Sequence, residues 1–197
     1  MKSFLSELKP AVLLTLVFAI VLCGVYPLAV WAGGQLLFPR RANGSLVVDA
    51  SGVVRGSSLL AQNFSSPGTF HPRPSAAGTG YDAANSSGTN LGPTSRKLAD
   101  SIRAAVAAYR AENHLSPATP VPADAVTCSA SGLDPDISVE NALLQAPRVA
   151  AARGLPASTV RRLVRTHVEP PEFGILGDPR VNVLELNLAL DRLVRGK

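Results

Sequence analysis

The sequence predicts an α+β protein: one N-terminal transmembrane helix followed by a single helix-rich soluble domain with a small β-sheet and long ordered loops. Three observations carry that reading. No charged side chain occurs between Lys9 and Arg40. Downstream, apolar residues recur at helical spacing in several separate segments. Between those segments lie stretches rich in Gly, Ser, Asn and Pro that have no period of their own yet hold aromatic residues.

The anchor comes first. A helix needs about 20 mostly apolar residues to cross a hydrocarbon core about 30 Å thick, and residues 11–31 supply them. A cleaved signal peptide has an apolar region of about 7–15 residues ending in a small-x-small site. Here the run is longer, and Trp31 and Gln35 occupy the place of that site. The expected organisation is a short tail over residues 1–10, a membrane helix over 11–31, a juxtamembrane linker over 32–44 and a soluble domain over 45–197. Lys2 and Lys9 flank one end of the span and Arg40 and Arg41 the other, so positive charge does not choose the orientation.

In the soluble part, Ser51-Gly52 is a turn signal between the β-branched runs 46–48 and 53–54, which predicts a hairpin. Residues 65–94 follow without helical or strand periodicity. Phe64, Phe70 and Tyr81 give that stretch something to bury, so it reads as an ordered, shaped loop rather than a disordered one. A helix follows, capped by Thr94, with Leu98, Ile102, Ala105, Val106 and Tyr109 on one face. After a Pro-rich joint at 117–122 comes a second irregular motif, residues 126–138, leading to a helix capped by Ser138. Val139, Ala142, Leu143, Ala146, Val149 and Ala150 form its apolar stripe, Pro147 is expected to kink it, and Gly154 to stop it. A third helix aligns Val160, Leu163, Val164 and His167. Asn182 and Glu185 have the spacing of a capping box before the last helix.

Composition narrows the chemistry. The net charge is +5, yet aromatic residues are 5% and do not interleave with the arginines, which disfavours nucleic-acid stacking. Arg161, Arg162 and Arg165 read as a solvated helix face. Cys23 lies in the span and Cys128 in the domain, so no disulfide framework is expected. No phosphate-cradling Gly-x-x-x-x-Gly-Lys loop, Gly-x-Gly-x-x-Gly or Gly-x-Ser-x-Gly occurs, and His71, His114 and His167 lack zinc-ligand spacing. No catalytic residue and no metal ligand is therefore assigned. The alternative reading is a membrane-tethered exported hydrolase, with Ser129 or Ser131, His167 and Asp134 meeting in three dimensions.

Five blocks then resemble a known family. FHPRPSA at 70–76, SSGTNLGPT at 86–94, VTCSASGLDPDIS at 126–138, QAPRVAAARG at 145–154 and LGDPRVNVLELNLALD at 176–191 occur in register behind the anchor. Together they resemble KdpC, the single-span C subunit of the Kdp potassium-transporting P-type ATPase. The chain departs from the family pattern at Ala130, where a glycine is usual, at Asp136, where a histidine is usual, and at Thr89 and Asp178.

The resemblance implies an accessory, non-catalytic subunit of a high-affinity potassium uptake complex in the bacterial inner membrane. Its implied partners are a channel-like potassium-binding subunit and an ATP-hydrolysing P-type subunit. The C subunit would stabilise the complex and promote ATP binding by the hydrolysing subunit, as a catalytic chaperone. It implies a cytoplasmic N-terminus and a soluble domain on the outer face. ATP would be the cofactor of the complex and potassium its cargo. By this resemblance Ser129, Ser131, Gly132 and Gln145 are nucleotide-associated. The residues themselves point instead to docking: polar loops with aromatic and proline anchors suit a shaped interface, with Phe70, Arg73, Pro74, Asn90, Leu91, Gly92 and Pro93 as its contacts.

Overall fold

The computed structural model describes residues 2–49 and 51–195; Met1, Ala50, Gly196 and Lys197, which the predicted tail and soluble domain include, lie outside the described residues. The chain divides into two compact units, one ending at Leu46 and one beginning at Val47.

The first unit is a long helical rod. Helix α1 (Lys2–Ile20) passes through a π-helical turn, Val21–Val25, into α2 (Tyr26–Leu37). Its apolar stretch, Ser6–Leu37, is long enough to cross a membrane and is not buried within the chain. Helix continues past Trp31 because no charge or proline interrupts residues 32–37. Pro27 follows directly on the π-turn, where Tyr26 N donates to Val21 O, and this local change of register accommodates its missing N–H. A short turn, α3 (Pro39–Ala42), closes the unit, and Asn43 Nδ2 donates back to Pro39 O at 2.7 Å.

The second unit opens with a hairpin of β1 (Leu46–Val48) and β2 (Val54–Ser57). Asp49 builds its turn: the carboxylate accepts from the Ser51 and Val53 amides at 2.8 and 3.0 Å and from Arg55 Nε at 2.7 Å. These bonds to the charged form hold the Asp49 carboxyl well below the usual carboxylate range, with the Ser51 hydroxyl the largest contributor.

Four helices follow: α4 (Arg96–Glu112), α5 (Val139–Arg153), α6 (Ala157–Thr166) and α7 (Val183–Arg195). The cap of α4 is Ser95 rather than the expected Thr94. Ser95 has extended backbone angles and its hydroxyl accepts from the Leu98 amide, while Thr94 lies one residue too early. Ser138 caps α5 by accepting from the Asn141 amide at 3.1 Å, and Gly154 ends that helix in the left-handed conformation at φ 62°. Asn182 caps α7 by accepting from the Glu185 amide at 3.1 Å.

A three-stranded antiparallel sheet, in the order β3 (Asp136–Ser138), β5 (Arg180–Asn182), β4 (Val168–Glu169), completes the unit. Val181 stands opposite both Ile137 and Val168. Helices α5 and α7 pack against this sheet, and α6 packs against both helices. The core they enclose contains Phe70, Ile137, Val149, Val160, Val164, Val181, Leu186 and Leu190. Strand β3 lies at the end of the segment read as irregular, and β4 and β5 lie mostly where the sequence predicts no element, so the second unit holds two small sheets.

Candidate functional site

Residues 65–94 form no helix or strand, yet they are tied down residue by residue. Phe70 is 0% exposed. Its amide donates to Asn187 Oδ1 at 2.8 Å, and its carbonyl accepts from Asn187 Nδ2 at 3.0 Å. His71 is gripped the same way by Gln145: its amide donates to Oε1 at 2.7 Å, and its carbonyl accepts from Nε2 at 3.1 Å. Two side-chain amides, one on α7 and one on α5, thus replace the ladder that a neighbouring strand would offer. They satisfy the backbone of a segment that has no secondary structure of its own.

Behind Gln145 lies a buried polar network. Gln145 Oε1 also accepts from Arg148 Nη2 at 2.9 Å, and its Nε2 donates to Asn141 Oδ1 at 2.9 Å. Arg148 donates further to Asn113 Oδ1 and to the carbonyls of Pro67 and Thr69. Its cation is held by neutral acceptors, and burial pushes its guanidinium pKa down. The Tyr109 hydroxyl donates to Asn141 Oδ1 at 2.8 Å, and burial raises its pKa strongly. A cleft of about 370 Å³ opens over this network, bordered by Phe64, His71, Tyr81, Tyr109 and Glu112. His71 Nδ1 lies 3.1 Å from Glu112 Oε1 at its mouth.

The Ser-Gly block, residues 129–134, is stitched to the far half of the same loop. Ser87 N and the Ser86 hydroxyl both donate to Ser131 O at 3.0 Å, and the Ser75 hydroxyl donates to Gly132 O at 2.6 Å. Gly132 sits at φ +67°, and a Cβ there would meet Ser87 O at 2.5 Å and Ala77 N at 2.8 Å. The glycine this block requires is therefore Gly132. Ala130 is outside the left-handed region, so its replacement of a usual glycine is accommodated. Asp136, another of the departures, forms an ion pair with Arg180 at 3.0 Å across the strand pair.

Each residue singled out from sequence now has a place. Gln145 is 1% exposed, with both ends of its amide occupied by protein partners. Ser131 is exposed, but its carbonyl is bonded to the loop and its hydroxyl accepts from Leu133 N at 3.1 Å. Ser129 Oγ and Ser131 Oγ face each other at 3.4 Å, and Gly132 is buried. Gln145, Ser131 and Gly132 thus hold the loop at separate points, whereas Ser129 bonds only within its own block.

Among the docking residues, Phe70 requires correction: a fully buried ring cannot be a surface contact, and it is a core residue. Arg73 is half-buried and bonds Asp134 Oδ2 at 2.7 Å, so it links the two halves of the brace. Pro74 and Leu91 are half-buried, and Asn90, Gly92 and Pro93 are exposed, with Asn90 at φ +53°. Asn90, Gly92 and Pro93 thus form an exposed crest on a loop that hydrogen bonds tie to the Ser-Gly block.

The hydrolase constellation is not assembled. His167 Nδ1 lies 2.9 Å from Leu163 O at the end of α6, and Asp134 is committed to Arg73. Among the described residues, no hydrogen bond joins His167 to Ser129, Ser131 or Asp134. No group of three His, Cys, Asp or Glu side chains is placed to hold a metal among the described residues either.

Comparison with known proteins accords with this geometry. Residues 8–192 match the family model described as KdpC: K+-transporting ATPase, c chain. The chain is 53% identical over 194 residues to a potassium-transporting ATPase KdpC subunit of Nitratidesulfovibrio vulgaris, covering 98% of both chains. It is 54% identical over 187 residues to the subunit of that name in Caulobacter vibrioides, covering 95% of this chain and 93% of the relative. The Mycobacterium tuberculosis subunit is also 54% identical, over 95% of this chain and 98% of the relative. The braced loop, its Ser-Gly partner and the long apolar helix are thus the parts of a chain that belongs to the KdpC family.

Proposed function

We propose that this chain is the accessory, non-catalytic subunit of an ATP-driven potassium uptake complex of the bacterial inner membrane. It is anchored by its N-terminal helix, with the N-terminus cytoplasmic and the soluble unit on the outer face. The kinship with KdpC subunits supports the complex; the docking mode rests on the residues.

The observation that carries the docking reading is the direction in which the polar groups point. Gln145, the Ser131 and Gly132 carbonyls, Asp134 and Arg73 turn inward to fix the loop. The crest at 90–93 remains on the surface. A loop fixed in advance loses little entropy on binding, which is how rigid scaffolds present contacts to partners. On this reading the subunit stabilises the complex and promotes ATP binding by the hydrolysing subunit through assembly, without a nucleotide pocket of its own.

The test compares two titrations. The purified complex should show a lower KM for ATP with this subunit than without it. The full-length chain alone, in detergent, should bind ATP no tighter than about 1 mM, near −4 kcal/mol. Micromolar binding by the chain alone would replace the docking reading with a direct nucleotide contact.

A further inference from the structure

Between β4 and β5 the chain makes a tight turn whose side chains point away from the protein. Phe173 is 90% exposed, Ile175 81% and Leu176 57%. Scattered exposed apolar residues are ordinary, but three on one short turn form a patch of the kind that marks an interaction site. The turn is well built. Glu172 and Leu176 bridge each other, Gly174 N donates to Pro171 O at 2.9 Å, and Ile175 N donates to Glu172 O at 3.2 Å.

Phe173 also sits at φ +53°. A bulky side chain in the left-handed region is a genuine outlier, where Gly or Asn would be at ease. Its ring repays this strain with nothing inside the protein, since it is almost wholly in solvent. That combination argues for a use outside the chain.

Charge identifies the kind of partner. Arg180 at the base of the turn is shared among Asp136 at 3.0 Å, Glu169 at 3.0 Å and Glu172 at 3.5 Å. Three carboxylates around one guanidinium leave a net negative collar below an apolar tip. Anionic lipid headgroups would repel such a collar, whereas a protein pocket with a basic rim complements it.

We propose that the turn at 173–176 is an apolar plug that seats in a hydrophobic pocket with a basic rim on a membrane-embedded partner subunit. The proposal rests on the reading of this chain as a complex subunit, and it adds a contact point separate from the crest at 90–93. Phe173 is the anchor, Ile175 and Leu176 widen the apolar contact, and the carboxylate collar orients it.

The experiment uses the assembled complex. A photoreactive benzoylphenylalanine replaces Phe173 in the full-length chain, and the purified complex is irradiated. The proposal expects an adduct to a polytopic subunit, mapping to an apolar segment flanked by Lys or Arg. An adduct to lipid alone, or no adduct in a complex that has formed, overturns it. Failure of the unmodified chain to enter any complex would instead overturn the reading on which it rests.

A second variant separates docking from folding. Phe173→Gly removes the strain and no buried contact, so its melting temperature should equal or exceed that of the natural chain. Its retention in the complex should fall about tenfold, as expected for loss of a hot-spot aromatic. Full retention in the complex contradicts the proposal.

Discussion

Gln145 pairs with His71 as one strand pairs with another, accepting from its amide at 2.7 Å and donating to its carbonyl at 3.1 Å. The same amide accepts from Arg148 and donates to Asn141. One side chain thus fixes a loop, gives a buried cation one of its neutral acceptors and closes a polar network. Its removal is felt in all three.

Gln145→Ala leaves the His71 amide, the His71 carbonyl and one Arg148 nitrogen without their partner. Each buried group stranded in this way costs about 1–3 kcal/mol, so the variant should lose on the order of 3 kcal/mol. Denaturant titration of the full-length chain in detergent measures it. A loss below about 0.5 kcal/mol, the range of unremarkable surface changes, would show that the brace is not structural.

Phe70→Ala tests the correction from surface to core. Truncating a fully buried phenylalanine costs about 3–5 kcal/mol through lost burial and the cavity left behind. A docking residue would instead leave the melting temperature unchanged and weaken assembly alone, so the two readouts separate the roles.

Gly132→Ala and Ala130→Gly form a contrasting pair. The first places a Cβ 2.5 Å from Ser87 O at a positive φ and should destabilise by at least about 2 kcal/mol. The second places a glycine at a position that does not need one, and should cost about 1 kcal/mol or less. Thermal melts of both variants check the ranking.

The hairpin turn gives a pH dependence. The Asp49 pKa is depressed in the folded protein by its hydrogen bonds from Ser51, Val53 and Arg55. A depressed carboxyl contributes stability that is present above its unfolded value, near 3.8, and is lost as pH falls through the folded value. Hydrogen exchange at the Ser51 and Val53 amides should therefore be slow at neutral pH and lose protection only in acid well below that value. Asp49→Asn should remove that acid step. Protection that is the same in both proteins across the range would deny the carboxylate this role.

Much of this molecule is legible in its sequence. The anchor follows from an uninterrupted apolar run, and the caps at Ser138, Gly154 and Asn182 follow from local spacing. The character of residues 65–94 as an ordered loop follows from aromatic residues set among polar ones. What sequence conceals is pairing at a distance. Strands β3 and β4 are three and two residues long, too short for alternation to register, and β3 exists because it meets β5 far along the chain. The clamps on Phe70 and His71 join residues 117 and 74 positions apart, and no local pattern announces them. Phe70 is legible both as a residue the loop buries and as a docking contact, because an aromatic ring among prolines suits a core or an interface equally. Its full burial decides for the core. The cap of α4 shifted from Thr94 to Ser95 since adjacent hydroxyls carry the same signal. The exposed Phe173 left no periodic trace at all.

The account's central claim is that the loop is braced from within so that its crest can dock. The most direct measurement is co-purification of a tagged full-length chain with its polytopic partner subunits, compared between the natural sequence and an Asn90→Gly, Pro93→Asp variant. That variant keeps the positive φ at ease and touches only exposed side chains. The account predicts that partner recovery falls about tenfold, an anchor-sized loss, while the melting temperature of the variant alone stays near that of the natural chain. Undiminished recovery of the partners by that variant would contradict it.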